Sequence, residues 1–313
     1  MSPTANTRRN LAMLVVLALV WGSSFMFIKI ADRELDPATL IFGRLGLAAL
    51  TLAVVVGAML GVRTMLAELR ANWLPLLAVV GLLNTAVPFW LLSWGETRID
   101  SGLASIIQAS VPIFNAGLAF LFFHEQRVGR AQWAGISVGF VGVALLVGAQ
   151  PGGKLLGALA VVGMAICYGL GGLLTRHLLG GVRPQIVSLG TALTAAIAVS
   201  PFGIARAPGH VPGAGVIASV AVLGILGTAF AYLLFFTIIA GAGAAYASFV
   251  TYLVPPVALA YGAIFLGESI GVAAFLGLVL IFAGVTLGTR AGPLLRRSRA
   301  AAPRLAGAPS ESS

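Results

Sequence analysis

Charge is scarce in this chain: 9% of its 313 residues are charged, against about 25% in soluble domains. A water-soluble fold is thereby excluded. Cysteine is scarcer still. Cys167 stands alone, so neither a disulfide within the chain nor a cysteine metal site can form. Acids deep in apolar runs are missing too, because Glu125 and Glu268 fall at the ends of such runs, and His124, His177 and His210 lie in or beside loops. A membrane hydrolase or metalloenzyme needs acids, bases or metal ligands converging at depth. The chain is therefore expected to be no enzyme and to carry no metal or cofactor. No GxxxxGK[ST] loop occurs, which argues against a built-in ATPase.

What the chain has instead is apolar length. Hydrophobic residues make up 59% of it, in recurring stretches of about 20 residues, each long enough to cross a hydrocarbon core of roughly 30 Å as a helix. The stretches run approximately 11–30, 37–60, 73–94, 101–123, 129–148, 155–177, 184–204, 213–239, 242–266 and 270–288. This predicts an all-α integral membrane fold with ten transmembrane helices and no room for a soluble domain. A net charge of +10 would suggest nucleic acid in a soluble protein, but here the basic residues fall in loops and tails, where they report orientation. Arg8, Arg9, Arg63, Arg70, Arg127, Arg130, Arg176 and Arg183 occupy one alternating set of loops, together with the arginines of the tail. The opposite set holds Lys29, Arg33, Arg98, Lys154 and Arg206. Both termini are therefore expected in the cytoplasm of a bacterial inner-membrane protein. The first run follows Arg8 and Arg9 as in a signal peptide, but continues into "WGSSFMFIKI" without a small-residue cleavage site, so it reads as a retained helix. Residues 289–313 read as a disordered basic tail.

The chain repeats itself. An offset of 143 lays "GLLNTAVPFWLL" (81–92) on "GILGTAFAYLLF" (224–235) and pairs Ser105 with Ser248, Pro112 with Pro255 and Glu125 with Glu268. After a one-residue gap, Gly135 and Gly142 meet Gly277 and Gly284. At an offset of 147, Trp21 meets Tyr168, Lys29 meets Arg176 and Pro37 meets Pro184. The boundaries read as an N-terminus 1–10, a first repeat 11–148, a linker 149–154, a second repeat 155–288 and the tail. Five crossings per repeat is an odd number, so the second copy is expected to sit the other way up, as in many secondary transporters.

These motifs carry a resemblance. "WGSSFMFIKI", the arginine of "IFGRLGLAAL", "SGLASIIQASVPIF" followed by Glu125, and "GISVGFVGV" are echoed by "AAYASFVTYLVPPVALAYGAIFLGE" and "GLVLIFAGV". In order, spacing and duplication the chain resembles the drug/metabolite transporter superfamily, the ten-helix type built from two EamA repeats, over about residues 11–288. The resemblance implies export or exchange of small metabolites, often amino acids, through a central cavity between the halves; the competing reading is a membrane protein that transports nothing and serves as a sensor or binding partner. The expected partners are a small-molecule solute and membrane lipid, with no nucleic acid, and the chain acting as a monomer or homodimer. The small multidrug exporters of that superfamily use a carboxylate in the first helix. This first helix has none, so proton antiport by that route is not expected. The second repeat also has Thr191 where the first has Arg44.

Candidate site residues follow from polarity at depth. Ser101, Ser105, Gln108, Pro112 and Asn115 share one helical face, which must turn toward other helices or a wet cavity. The small residues suit close packing. Gln108 and its mate Thr251 are expected to line the cavity. Pro112 and Pro255 withhold an N–H from the carbonyls of Gln108 and Thr251; each is a hinge, a ligand-exposing break or a simple kink. Trp21 and Tyr168, with Ser24 beside the first, lie mid-helix and read as cavity wall or gate. Tyr232, Trp90, Tyr252 and Asn84 are further candidates. Arg44 must be held by carbonyls, bind a solute carboxylate, or snorkel to the surface.

Overall fold

The computed structural model describes residues 3–123, 130–148, 154–242, 244–247 and 249–300, and all the regular structure in them is helical. His124, Glu125, Arg127, Ser248 and the linker at 149–153 lie outside the described residues. Apart from a single turn at Ala244–Ala247, the helices are α1 (Pro3–Ala31), α2 (Pro37–Leu60), α3 (Val62–Ala71), α4 (residues 73–96), α5 (Ser101–Gln108), α6 (residues 111–123), α7 (Arg130–Gly148), α8 (Lys154–Leu179), α9 (Pro184–Ala205), α10 (residues 214–242), α11 (Val250–Leu266) and α12 (Val272–Ala300). Among the described residues, six helical stretches are long and apolar enough to cross a membrane, and Trp133–Val147, Val250–Leu266 and Val272–Leu287 are shorter apolar helices. The fold is that of an all-α, multi-pass membrane protein.

Local chemistry sets the boundaries. Asp36 caps α2 by accepting from Ala38 N at 2.9 Å, with Pro37 in the first turn, where its missing N–H costs nothing. Gly61 (φ +80°) ends that helix in a conformation that penalises a side chain. Two departures from the sequence reading occur here. Residues 62–71, expected to be loop, form the amphipathic helix α3, burying Met65 and Leu69. The last helix stays regular to Ala300, past the boundary at 288 where a disordered tail was expected; residues 301–313 lie outside the described residues.

Packing runs crosswise between the two halves: α1 lies against α11, α2 against α9 and α10, α4 against α8, and α7 against α12. Small residues allow it. A Cβ placed on Gly284 would sit 2.6 Å from both Gly135 O and Gly139 N, and one on Gly142 would meet Gly277 O at 3.1 Å. The backbones of α7 and α12 thus touch, gaining dispersion contacts that lipid does not offer. Leu17, Ile28, Leu45, Ile106 and Met164 fill the interior, while Leu50, Val54, Phe122, Phe202 and Ile264 are exposed. That outer surface is suited to lipid chains rather than water.

Two elements are π-helical in part, Leu76–Ala86 within α4 and Val222–Phe230 within α10. Under the 143-residue offset they overlap. Between α5 and α6 the chain makes a break at Ala109 and Ser110, and Pro112 sits in the first turn of α6 rather than inside a continuous helix. Its mate Pro255 is followed by Pro256, and both lie within α11.

Candidate functional site

A cavity of about 380 Å³ lies where the two halves meet. Trp21 and Ser24 reach it from α1, Arg44 from α2, Asn84 and Phe89 from α4, and Ser105 and Gln108 from α5. The second half answers with Tyr168 from α8, Ser188 and Thr191 from α9, Gly227, Tyr232 and Phe235 from α10, and Thr251 and Pro255 from α11. Four pairs related by the repeat therefore face one space: Trp21 with Tyr168, Phe89 with Tyr232, Gln108 with Thr251, and Arg44 with Thr191.

Arg44 is the charged member. It is 4% exposed, so it does not snorkel to the surface. Its Nε donates to Thr228 Oγ1 at 3.0 Å, and its guanidinium lies 4.1 Å from the centre of the Phe89 ring. Thr228 in turn donates to Leu223 O at 2.9 Å. A hydroxyl and a ring thus hold the arginine, where the sequence reading weighed carbonyls. The ion pairs found among the described residues involve other groups, so this cation faces the cavity without a bound carboxylate. A buried arginine in that position offers N–H donors in a fork that matches a carboxylate.

Around it the wall is aromatic. The rings of Trp21 and Phe235, both in the lining, lie 5.4 Å apart and tilted at 47°, within the range of a favourable aromatic pair. Gln108 is half-buried at the end of α5, and because residue 112 is proline, no N–H from that position reaches its carbonyl. The cavity thus offers a fixed cation, an amide and an apolar wall, which can orient a small amphipathic solute and do no covalent chemistry.

Three sequence candidates lie elsewhere. Trp90 stacks on Trp94 at 6.2 Å, Tyr252 packs edge-on against Phe282 of α12 at 5.2 Å, and Pro112 is half-buried at the start of α6. None of them lines the cavity. Of the polar seam, Asn115 is used for packing, its Nδ2 donating to Gly169 O of α8 at 3.2 Å. Ser101 binds Glu268, whose carboxylate accepts from Ser101 N and Oγ at 2.8 Å each and from Gly102 N at 3.1 Å. The left-handed Gly267 (φ +68°) turns the chain so that Glu268 caps α5 from the far repeat. Thr228, Ser188, Phe235 and the buried Glu96 were not anticipated. Only the apolar run ending in "WGE" pointed to Glu96, as a charge stranded at a helix end.

The pattern that defines the EamA-like transporter family matches residues 9–148 and again 155–290. The chain is 33% identical over 298 residues, 93% of it and 96% of the relative, to a probable terminal-alkyne amino-acid exporter of Streptantibioticus cattleyicolor. It is 27% identical, over 88% of itself and 98% of the relative, to an uncharacterized transporter of Archaeoglobus fulgidus. A solved crystal structure superposes with a TM-score of 0.62 over 95% of this chain and 99% of that one; at 20% identity it speaks for the fold alone.

Proposed function

The chain belongs to the EamA-like transporter family, and from that premise we propose that it is a secondary transporter moving small organic metabolites, amino acids or their relatives, outward across the bacterial inner membrane. The central cavity carries this reading. Its lining comes in pairs related by the repeat, Trp21 with Tyr168 and Gln108 with Thr251, as expected of a site exposed to each side in turn. A volume of about 380 Å³ suits an amino-acid-sized solute. Arg44, without an acid partner, takes the carboxylate; Gln108 and Thr251 take the remaining polar groups; Trp21, Tyr168 and Phe235 cover the apolar part.

The crosswise packing supports inverted repeats, because α1 on α11 and α8 on α5 and α6 are the same contact under exchange of the halves. In this reading α4, α7, α11 and α12 complete ten crossings with the six longer apolar stretches. Both termini face the cytoplasm, and Lys154 and Arg206 face outward, following the arginine excess. Pro112 and Pro255 act as hinges for rocking of one repeat against the other. The amino-acid assignment draws on the name of the Streptantibioticus relative.

The test is efflux from vesicles. Proteoliposomes holding only this protein are loaded with a mixture of L-amino acids, and loss of each is followed by mass spectrometry. Selective loss of some members supports the assignment. Retention equal to that of protein-free liposomes, in efflux and in exchange, overturns it.

A further inference from the structure

Glu96 ends α4 with none of its surface exposed, yet among the described residues neither carboxylate oxygen has a hydrogen-bond partner. It faces a second cavity of about 510 Å³, away from the first, at the end of the bundle that holds Lys29, Arg33, Asp100 and Lys154. Asp32, in the turn after α1, faces the same cavity. Ser93 Oγ donates to its Oδ1 at 2.8 Å, while its Oδ2 is buried and has no partner among the described residues. A fully buried and a half-buried carboxylate that repel each other cannot both stay ionised at low cost.

The surrounding charges leave a deficit of one positive charge. Lys29, from α1, attracts both acids while its ammonium donates to the carbonyls of Glu96 and, at 2.7 Å, Ile99. Asp36 repels Asp32. Glu268 repels Glu96 and is itself committed to Ser101 and Gly102, and Arg44 attracts Glu96 from the other cavity. Lys154 from α8 and Arg33 together match Glu268 and Asp100 in number, which leaves Asp32 and Glu96 against Lys29. Two acids against Lys29 are neutralised by a single proton. A metal ion would need more oxygen ligands, and among the described residues no group of three or more His, Cys, Asp or Glu could hold one.

We propose that Asp32 and Glu96 form a shared proton-binding site, and that solute movement through the central cavity is coupled to its loading and unloading. The coupling half rests on the transporter reading; the proton site does not. The proton comes from water in the second cavity, adds to one carboxylate oxygen and leaves the same way, with no other bond changed. The link to the solute is built into two helices. Helix α1 carries Trp21 and Ser24 into the central cavity and leads to Asp32. Helix α4 carries Asn84, Phe89 and Leu92 there and ends in Ser93 and Glu96. A shared proton lets the ends of α1 and α4 stay together, and its loss drives them apart, so the two occupancies favour different arrangements of the cavity wall. Burial pushes the Asp32 carboxyl up to about 7, which places the exchange near neutral pH.

Two measurements test this. The first needs no solute: purified wild type and the D32N/E96Q double variant are titrated potentiometrically between pH 9 and pH 5, and wild type should take up about one proton more per molecule. Equal uptake by folded proteins overturns the proton site. The second uses proteoliposomes loaded with L-amino acids and a trapped pH dye. An imposed pH gradient should change wild-type efflux several-fold with matching proton movement. In E96Q, gradient-driven efflux should fall several-fold relative to solute exchange, while E96D, which keeps a carboxyl, retains the response. Efflux indifferent to the gradient in wild type, or a full response in E96Q, overturns the coupling. If no amino acid moves at all, the proposed function fails and the titration alone decides the proton site.

Discussion

Arg44 and Thr228, 184 residues apart in sequence, are joined by a hydrogen bond of 3.0 Å across the two halves of the chain. The bond fixes the direction of the guanidinium in the cavity, and α2 and α10 are packed together around it. Arg44→Gln removes the charge but keeps an amide of shorter reach. Transport of carboxylate-bearing solutes is expected to fall at least tenfold, with neutral solutes less affected, in protein that still purifies. Equal impairment of both solute classes at normal protein yield would count against a carboxylate contact.

Thr228→Val is nearly isosteric and deletes the acceptor of that bond. A hydrogen bond to a charged group contributes about 1.5–3 kcal/mol. The variant should therefore lose several degrees of thermal stability in detergent and bind solute more weakly, because the freed arginine samples more than one orientation. An unchanged melting temperature with unchanged affinity would mean that Phe89 alone holds the arginine.

Gln108→Leu deletes an amide at similar volume on a side chain that is half-buried and open to the cavity. Loss of one hydrogen bond worth about 1 kcal/mol raises the half-saturating solute concentration roughly fivefold, with Thr251→Val milder in the same direction. A packing role for Gln108 predicts the opposite pattern, lower stability with unchanged transport per folded molecule.

Gly284→Ala tests the contact between α7 and α12. Its Cβ would stand 2.6 Å from Gly135 O and Gly139 N, both backbone atoms that cannot swing away. Separating the helices should cost about 1–3 kcal/mol, seen as a lower folded yield and melting temperature. Ala substitution at Gly46, where nothing lies within 4 Å, is the control and should change neither.

Asp32 makes stability depend on pH. Its carboxyl stands at about 7 in the folded protein against an ordinary 3.8. Between those values the folded chain binds more protons than the unfolded one. Stability from this group is full below the ordinary value and falls as pH rises through the window, levelling off above the folded value. Asp32→Asn cannot ionise and removes that slope, so the melting temperature of the variant should gain on wild type between about pH 5 and pH 8. A gap that stays constant across that range would show that Asp32 titrates as an ordinary surface acid.

The all-helical membrane fold was legible because hydrocarbon leaves a chain few options: a backbone that must satisfy itself needs long apolar helices, and those show in any sequence. The duplication was legible for the same reason, since matched prolines and glycines stand out against an apolar background. Helix α3 was not, because ten residues with mixed charge look like a loop until Met65 and Leu69 find something to cover. At the site, Trp21, Tyr168 and Gln108 could be chosen by depth alone, but depth does not fix the direction in which a helix face turns. Trp90 and Tyr252 satisfied the same criterion and face Trp94 and Phe282 instead. The anchor of Arg44 was hidden because its partner is a threonine from the other repeat. Glu96 was passed over because a charge at the end of an apolar run ordinarily reaches water, and here the side chain is fully buried.

The π-helical stretches at 76–86 and 222–230 have a mechanical consequence. In a π turn the hydrogen bond closes one residue later than in an α turn, so the junction between the two forms can migrate along the helix like a dislocation through a crystal row. Each step of one residue turns the residue that the junction passes by roughly 100°, exchanging what faces inward at the expense of about one hydrogen bond at a time. Asn84 lies inside one such stretch with Phe89 just beyond it, and Gly227 lies inside the other with Tyr232 just beyond it. The wall of the cavity can therefore be re-dealt from within, helix by helix, without any span unwinding in the hydrocarbon.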